Sequence, residues 1–211
     1  MTRILLVRHG QTRWNVQERF RGRADIPLDD VGIAQAEKTA AWIACYWKPK
    51  AVYSSPLSRA LKTAELIAGA CNLDVHPHED MIDINYGDWQ GLSPEEVKER
   101  WPDLSGYWYS EPHRIRIPKA ETIQELKVRG VKAVKDICLA HEDATVVIVG
   151  HTVINRVIIL GILDIDLRHF WHIRQDTCAI NEIQEDNGRF FLASLNDTCH
   201  LREPDTIQHH H

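Results

Sequence analysis

Two stretches of this chain are apolar almost without a break, residues 4–7 (Ile-Leu-Leu-Val) and residues 145–149 (Thr-Val-Val-Ile-Val). A short run with no polar face suits a strand covered on both sides, as in a parallel sheet flanked by helices. Residues 51–54 read as a further strand and residues 73–76 as a short extended piece. Near the C-terminus the rhythm changes: residues 178–184 and 189–194 alternate apolar and polar around Asn187-Gly188, which predicts a hairpin. Between these segments the period becomes helical. Ile33, Ala36, Ala40, Ile43 and Trp47 recur at gaps of three and four, and so do Leu57, Ala60, Leu61, Ala64 and Ala68.

Start signals sharpen the boundaries. Asp29 or Asp30 is placed to cap the first helix, and Ser55 to cap the second with Pro56 at its first helical position. Ser93 with Glu96 forms a capping box for a short helix ending at Trp101, and Thr122 with Glu125 opens a longer one to about Ala140, weakened at Gly130. An apolar helix over residues 153–163 follows the second continuous strand. Residues 12–23 read as a basic loop carrying Arg13, Arg19, Arg21 and Arg23, and residues 101–118, rich in aromatics and proline, as an irregular flap over a cleft or, equally, as a segment whose aromatics are ordinary satellite packing. Strand and helix alternate with no linker or repeat, so the pattern predicts one α/β domain over residues 1–208, with His209-His210-His211 the remnant of a purification tag.

Composition narrows the function classes. A chain of 211 residues suits one domain with a proper core, and a net charge of -5 offers no general attraction for nucleic acid or anionic lipid. No apolar run approaches a membrane span, and Met1-Thr2-Arg3 leads straight into a strand rather than a signal peptide. The five cysteines are scattered with no C-x-x-C spacing, which points to reduced thiols in a cytoplasmic setting. An anionic substrate would have to be held by local cations.

Those cations gather where the strands end. Both continuous strands deliver a histidine at the carboxyl end, His9 after Arg8 and His151 after Gly150, and open α/β sheets place their ligands there. His9 is the candidate nucleophile, Asn15 follows within reach, and Thr152 stands beside His151. Arg59 falls in a helix's first turn, where a cation opposes the macrodipole; an anion held there would account for it, as would a surface carboxylate. Asp83, between Ile82 and Ile84, is the carboxylate more apt to point into a pocket than Asp88. Two guanidiniums and two imidazoles suit a phosphate dianion, and Asp83 would serve as general acid and base. His9 should titrate below the ordinary imidazole value beside Arg8 and Arg59. No Cys is followed six positions on by Arg, no early D-x-D follows the first strand and no G-x-x-x-x-G-K-[ST] occurs. His76-x-His78 is the one close histidine pair outside the tag, without the usual zinc spacing, so neither metal nor cofactor is expected.

The motifs L-L-V-R-H-G-Q-T at 5–12, Asn15, S-S-P-L-S-R-A at 54–60, G-D-W-Q-G at 87–91 and V-G-H-T at 149–152 resemble the histidine phosphatase superfamily, in its phosphoglycerate-mutase-like branch. The resemblance implies a three-layer α/β/α sandwich around a mostly parallel sheet, phosphorylation of His9, and a phosphate held by Arg8, Arg59 and His151 with help from Asn15 and Thr152. Asp83 stands where most members carry Glu. Glu111-Pro112-His113 and the tail at 196–201 look like the metal-independent phosphoserine phosphatases, which implies L-phosphoserine, with Arg21, Gly22, Tyr86 and His200 reading the substrate. Tyr86 departs from the usual His. An α-ribazole or broad sugar-phosphate phosphatase would share every catalytic residue. A phosphoglycerate mutase is a third reading, which the compact length disfavours, and a non-catalytic phosphate-binding scaffold a fourth. The partner implied is a small phosphorylated metabolite, and the exposed tail and apolar strands permit a homodimer.

Overall fold

The computed structural model describes residues 1–202. The expected domain end at residue 208 and the histidines at 209–211 lie outside them. Strands β1 (Thr2–Arg8), β2 (Ala51–Ser54), β3 (Val75–Pro77), β4 (Thr145–Gly150), β5 (Ile180–Asp186) and β6 (Arg189–Asp197) form one six-stranded sheet in the order β3-β2-β4-β1-β5-β6. The first four in that order run parallel, and the β5–β6 hairpin adds an antiparallel edge. Helices are α1 (Arg13–Val16), α2 (Asp30–Tyr46), α3 (Ser58–Cys71), α4 (Pro94–Arg100), α5 (Pro102–Ser110), α6 (Ile123–Ala140) and α7 (Thr152–Ile162). No helix among the described residues is long and apolar enough to cross a membrane.

The continuous apolar runs sort into two faces. Leu5, Val7, Val147 and Val149 pack with Ala40 and Ile43 of α2 and Ala60 and Ala64 of α3. Ile4, Leu6, Val146 and Ile148 pack on the opposite side with Leu126 and Val134 of α6 and Ile154 and Ile158 of α7. Three layers follow directly, and each of these fully buried aliphatic side chains contributes roughly 1.5–3 kcal/mol. Gly130 does not weaken α6 without return: a Cβ there would lie 2.9 Å from Ile158 Cγ1, so the glycine lets α6 and α7 approach closely.

Three local expectations change. Helix α3 starts at Ser58 rather than Pro56, because the Ser58 N–H is taken by Asp25 Oδ1 at 2.8 Å while the Ser55 hydroxyl engages His151. The basic loop contains one helical turn, α1, in which Asn15 Oδ1 accepts from the Thr12 N–H at 2.9 Å and the Thr12 hydroxyl at 2.8 Å. The expected flap is helical over α5, opened by Pro102 and pinned by buried Trp108 among the rings of Phe20, Tyr86, Trp89 and Phe170.

Candidate active site

Strand register brings the two histidines together. Arg8 pairs with Gly150 in the parallel β1–β4 ladder, so the next residue of each strand leaves the sheet at the same level. The His9 N–H continues the ladder to the Gly150 carbonyl at 3.1 Å, and the His9 and His151 rings lie 5.1 Å apart. Beyond His9 the chain is pressed against the start of α2: a Cβ on Gly32 would sit 2.0 Å from the Gln11 carbonyl oxygen, and one on Gly10 2.4 Å from that of Gly32. Only glycines permit that approach, which fixes the backbone carrying His9.

Hydrogen bonding sets the His9 tautomer. His9 Nδ1 lies 2.6 Å from the Gly10 carbonyl oxygen, an obligate acceptor, so Nδ1 carries the proton and the Nε2 lone pair is free. His151 Nε2 is 2.7 Å from Ser55 Oγ. The same oxygen accepts from the Leu57 N–H at 3.3 Å, and His151 Nδ1 is buried without a partner among the described residues. Burial first, then the charges around each ring, Arg59 foremost, holds both histidines well below the ordinary imidazole value. Both rings are therefore neutral at pH 7.

The guanidiniums are fixed by neutral partners. Arg8 Nη1 donates to the Gln175 carbonyl at 2.6 Å, and Gln175 is held by Asn181, whose Nδ2 also reaches the Leu6 carbonyl at 2.8 Å. Arg59 is fully buried and donates to the carbonyls of Ala24 and Gly22, each at 2.8 Å. Surface pairing therefore does not explain Arg59. Asp83 Oδ2 lies 4.0 Å from Arg59 Nη2, so the aspartate reaches the cation cluster despite its short side chain. Burial raises the Asp83 pKa against the opposing pull of Arg59.

Polar atoms without partners mark the centre of this cluster. Arg8 Nε, Arg59 Nε, Asp83 Oδ1, His151 Nδ1 and Thr152 Oγ1 are buried and unpaired among the described residues. Each such group costs roughly 1–3 kcal/mol unless something bonds it, and their concentration is the signature of a site built for a polar guest. A cavity of about 650 Å³ opens here, walled by Arg8, Asn15, Arg21, Asp83, Tyr86 and Thr152 among others. Burial pushes the Tyr86 phenol upward, so it stays protonated. Another hollow, of about 640 Å³, lies at the opposite end of the sheet around Met1, Cys138 and Phe190, away from this chemistry.

Of the expected site residues, Arg8, Asn15, Arg21, Gly22, Asp83, Tyr86 and Thr152 line this cavity, and His9, His151 and Arg59 lie buried next to them. His200 does neither. Its Nε2 lies 2.9 Å from Thr39 Oγ1 and its ring stacks on Trp42, because the tail folds along α2. No group of three or more His, Cys, Asp or Glu side chains among the described residues is arranged to hold a metal ion. Sequence reasoning missed Ser55 as a partner of His151, Arg156 in the cavity wall and Arg129 behind Asp83. Arg129 of α6 donates to the carbonyls of Asp80, Ile82 and Asp83 at 2.6, 2.7 and 3.2 Å. It is also paired with Glu121 at 2.7 Å. Alternation of charge along α6 gives no hint of that reach.

A parallel α/β sheet with paired imidazoles and guanidiniums at its carboxyl edge defines an enzyme class that handles phosphate esters. Residues 4–198 match the model of the histidine phosphatase superfamily (branch 1). The chain belongs to that superfamily. It is 34% identical over 203 residues to phosphoserine phosphatase 1 of Hydrogenobacter thermophilus, covering 96% of each chain. Among solved structures, it is similar to YhfR of Bacillus stearothermophilus, with a TM-score of 0.91 and 30% identity over 96% of this chain and 100% of that one. It is likewise similar to a phosphoserine phosphatase mutant from Entamoeba histolytica in complex with phosphoserine, with a TM-score of 0.87, 30% identity and coverage of 96% and 100%.

Proposed function

We propose that this protein hydrolyses a small phosphomonoester, L-phosphoserine foremost, through a phosphohistidine on His9 and without a metal ion. The observation that carries the reading is the free Nε2 of neutral His9, set among buried donors that lack partners. Nε2 attacks phosphorus as the ester oxygen departs, and Asp83 gives that oxygen its proton. Asp83 then takes a proton from water, which cleaves the phosphorus–nitrogen bond and restores His9. Arg8, Arg59, Asn15, Thr152 and His151 hold the phosphoryl oxygens while charge shifts between nucleophile and leaving group. The bound dianion offsets the guanidinium charges and adds to the burial that already raises Asp83, keeping it protonated for the first step.

The relatives named above support phosphoserine as substrate, while α-ribazole phosphate or sugar phosphates would use the same reacting groups. A panel of these esters, assayed for phosphate release with and without EDTA, tests the reading. Phosphoserine is expected among the fastest, with rates unaffected by the chelator; loss of release on chelation overturns it. Transfer of the phosphoryl group to a second sugar acid instead of water would mark a mutase.

Arg129 supports Asp83 through three carbonyls of the loop that carries it. Arg129→Met is expected to lower kcat on alkyl phosphates by about 10- to 100-fold, because small misplacements of an acid are costly. KM should stay within about twofold. Steady-state kinetics on the folded variant checks this, and Arg129→Lys should recover part of the loss.

A further inference from the structure

Arg8, Arg19, Arg21 and Arg156 line the cavity and Arg59 is buried beside Asp83 of its wall. Arg19 is paired with Glu96 at 3.5 Å, and the other four are fastened to main-chain carbonyls, Arg8 to Gln175, Arg21 to Trp14, Arg59 to Ala24 and Gly22, Arg156 to Ile173. A carbonyl fixes the position of a guanidinium without neutralising it. One phosphate dianion accounts for Arg8 and Arg59, the pair beside His9. Arg21 and Arg156 remain, and among the described residues neither has a carboxylate within 4.0 Å. The acidic groups in the same wall are otherwise engaged or exposed: Asp83 is on Arg59, Asp176 is bonded to Arg174 and Asn196, and Glu18 faces solvent.

Arg156 is held with particular rigidity. Its Nε donates to the Ile173 carbonyl at 2.6 Å, and its guanidinium carbon lies 5.0 Å from the Phe170 ring centre and 4.8 Å from that of Trp171. Those two aromatic faces steady the charge while Nη1 and Nη2 have no partner among the described residues. The residue stands one helical turn after Thr152 on the same face of α7, a rise of about 6 Å. That offset is comparable with the span of a three-carbon phosphoester. Arg156 lines the same cavity as Arg8 and Tyr86.

We propose that Arg156, with Arg21, forms a second anion subsite that takes a carboxylate on the leaving group, so that the enzyme selects phosphomonoesters of small hydroxy acids over their uncharged counterparts. This rests on the phosphatase reading above and goes further by naming what selects the ester. A fork of guanidinium donors held in place suits a carboxylate in bidentate fashion.

Matched esters supply the test. The ratio of kcat/KM for phosphoserine over phosphoethanolamine, and for 3-phosphoglycerate over glycerol 3-phosphate, is measured on the wild type, Arg156→Met and Arg156→Lys. The wild type should favour the carboxylate-bearing member of each pair by about 10-fold or more, Arg156→Met should reduce that preference by about 10- to 100-fold, and Arg156→Lys should restore part of it. A wild-type ratio near one overturns the subsite while leaving the phosphatase reading intact, and needs no variant to fold. An equal loss on both members in Arg156→Met also overturns it, since that is the effect of a merely structural arginine. Absence of turnover on every ester overturns both readings together.

Discussion

Replacing His9 with Ala is expected to reduce phosphate release by about 10⁴-fold or more, the scale of losing a nucleophile from a site whose other groups remain. The argument is geometric. His9 offers an imidazole nitrogen whose lone pair is uncommitted, whereas His151 Nε2 is engaged by Ser55 at 2.7 Å. Around it the guanidiniums are cationic, Tyr86 stays protonated and Asp83 is occupied with the proton transfers. Rapid quenching with labelled substrate should trap an acid-labile, base-stable phosphoryl group on the wild type and none on the variant. A variant that kept a tenth of the wild-type rate would move the nucleophile elsewhere.

Asp83→Asn should separate the two halves of the reaction. Asparagine cannot donate the proton that an alkoxide needs, so kcat on phosphoserine is expected to fall by about 10²- to 10⁴-fold. An aryl ester such as p-nitrophenyl phosphate leaves without that help. Its first step should survive, and phosphohistidine should then accumulate as a burst because water lacks its base. The pH profile carries the same signature. The acid is competent only while protonated, so wild-type activity on alkyl esters falls as pH rises through the raised pKa of Asp83. In the variant that descending limb disappears. The ascending limb, set by neutral His9, begins below the ordinary imidazole value and should remain.

Most of the layered architecture was legible because it rests on local signals. The unbroken runs at 4–7 and 145–149 require cover on both faces, and the Thr122–Glu125 box marks the start of α6 to the residue. The pairing of His9 with His151 was legible too, since each closes such a run. The supporting groups were not. Asp25 caps α3 from 33 residues away, and Arg129 reaches back 46 to 49 residues to the loop of Asp83. Contacts of that kind leave no periodicity. His200 failed for a related reason: a tail can fold along any exposed helix, and here Thr39 and Trp42 received it. The aromatic segment at 101–110 misled because Pro102, a residue that ends helices from within, here begins one.

The ladder that seats the two histidines has a consequence for how the molecule fails. β1 and β4 lie at the middle of the sheet, paired over six residues with every aliphatic side chain buried. Strands in that position exchange their amide hydrogens only through global opening. The nucleophile and its neighbouring imidazole therefore persist as long as the native state does, while the acid sits on a connecting segment outside the sheet, held by Arg129 and Arg23 and by buried Met81 and Ile84. Heat or mild denaturant should first yield a molecule that still accepts a phosphoryl group from an easy donor yet releases it slowly.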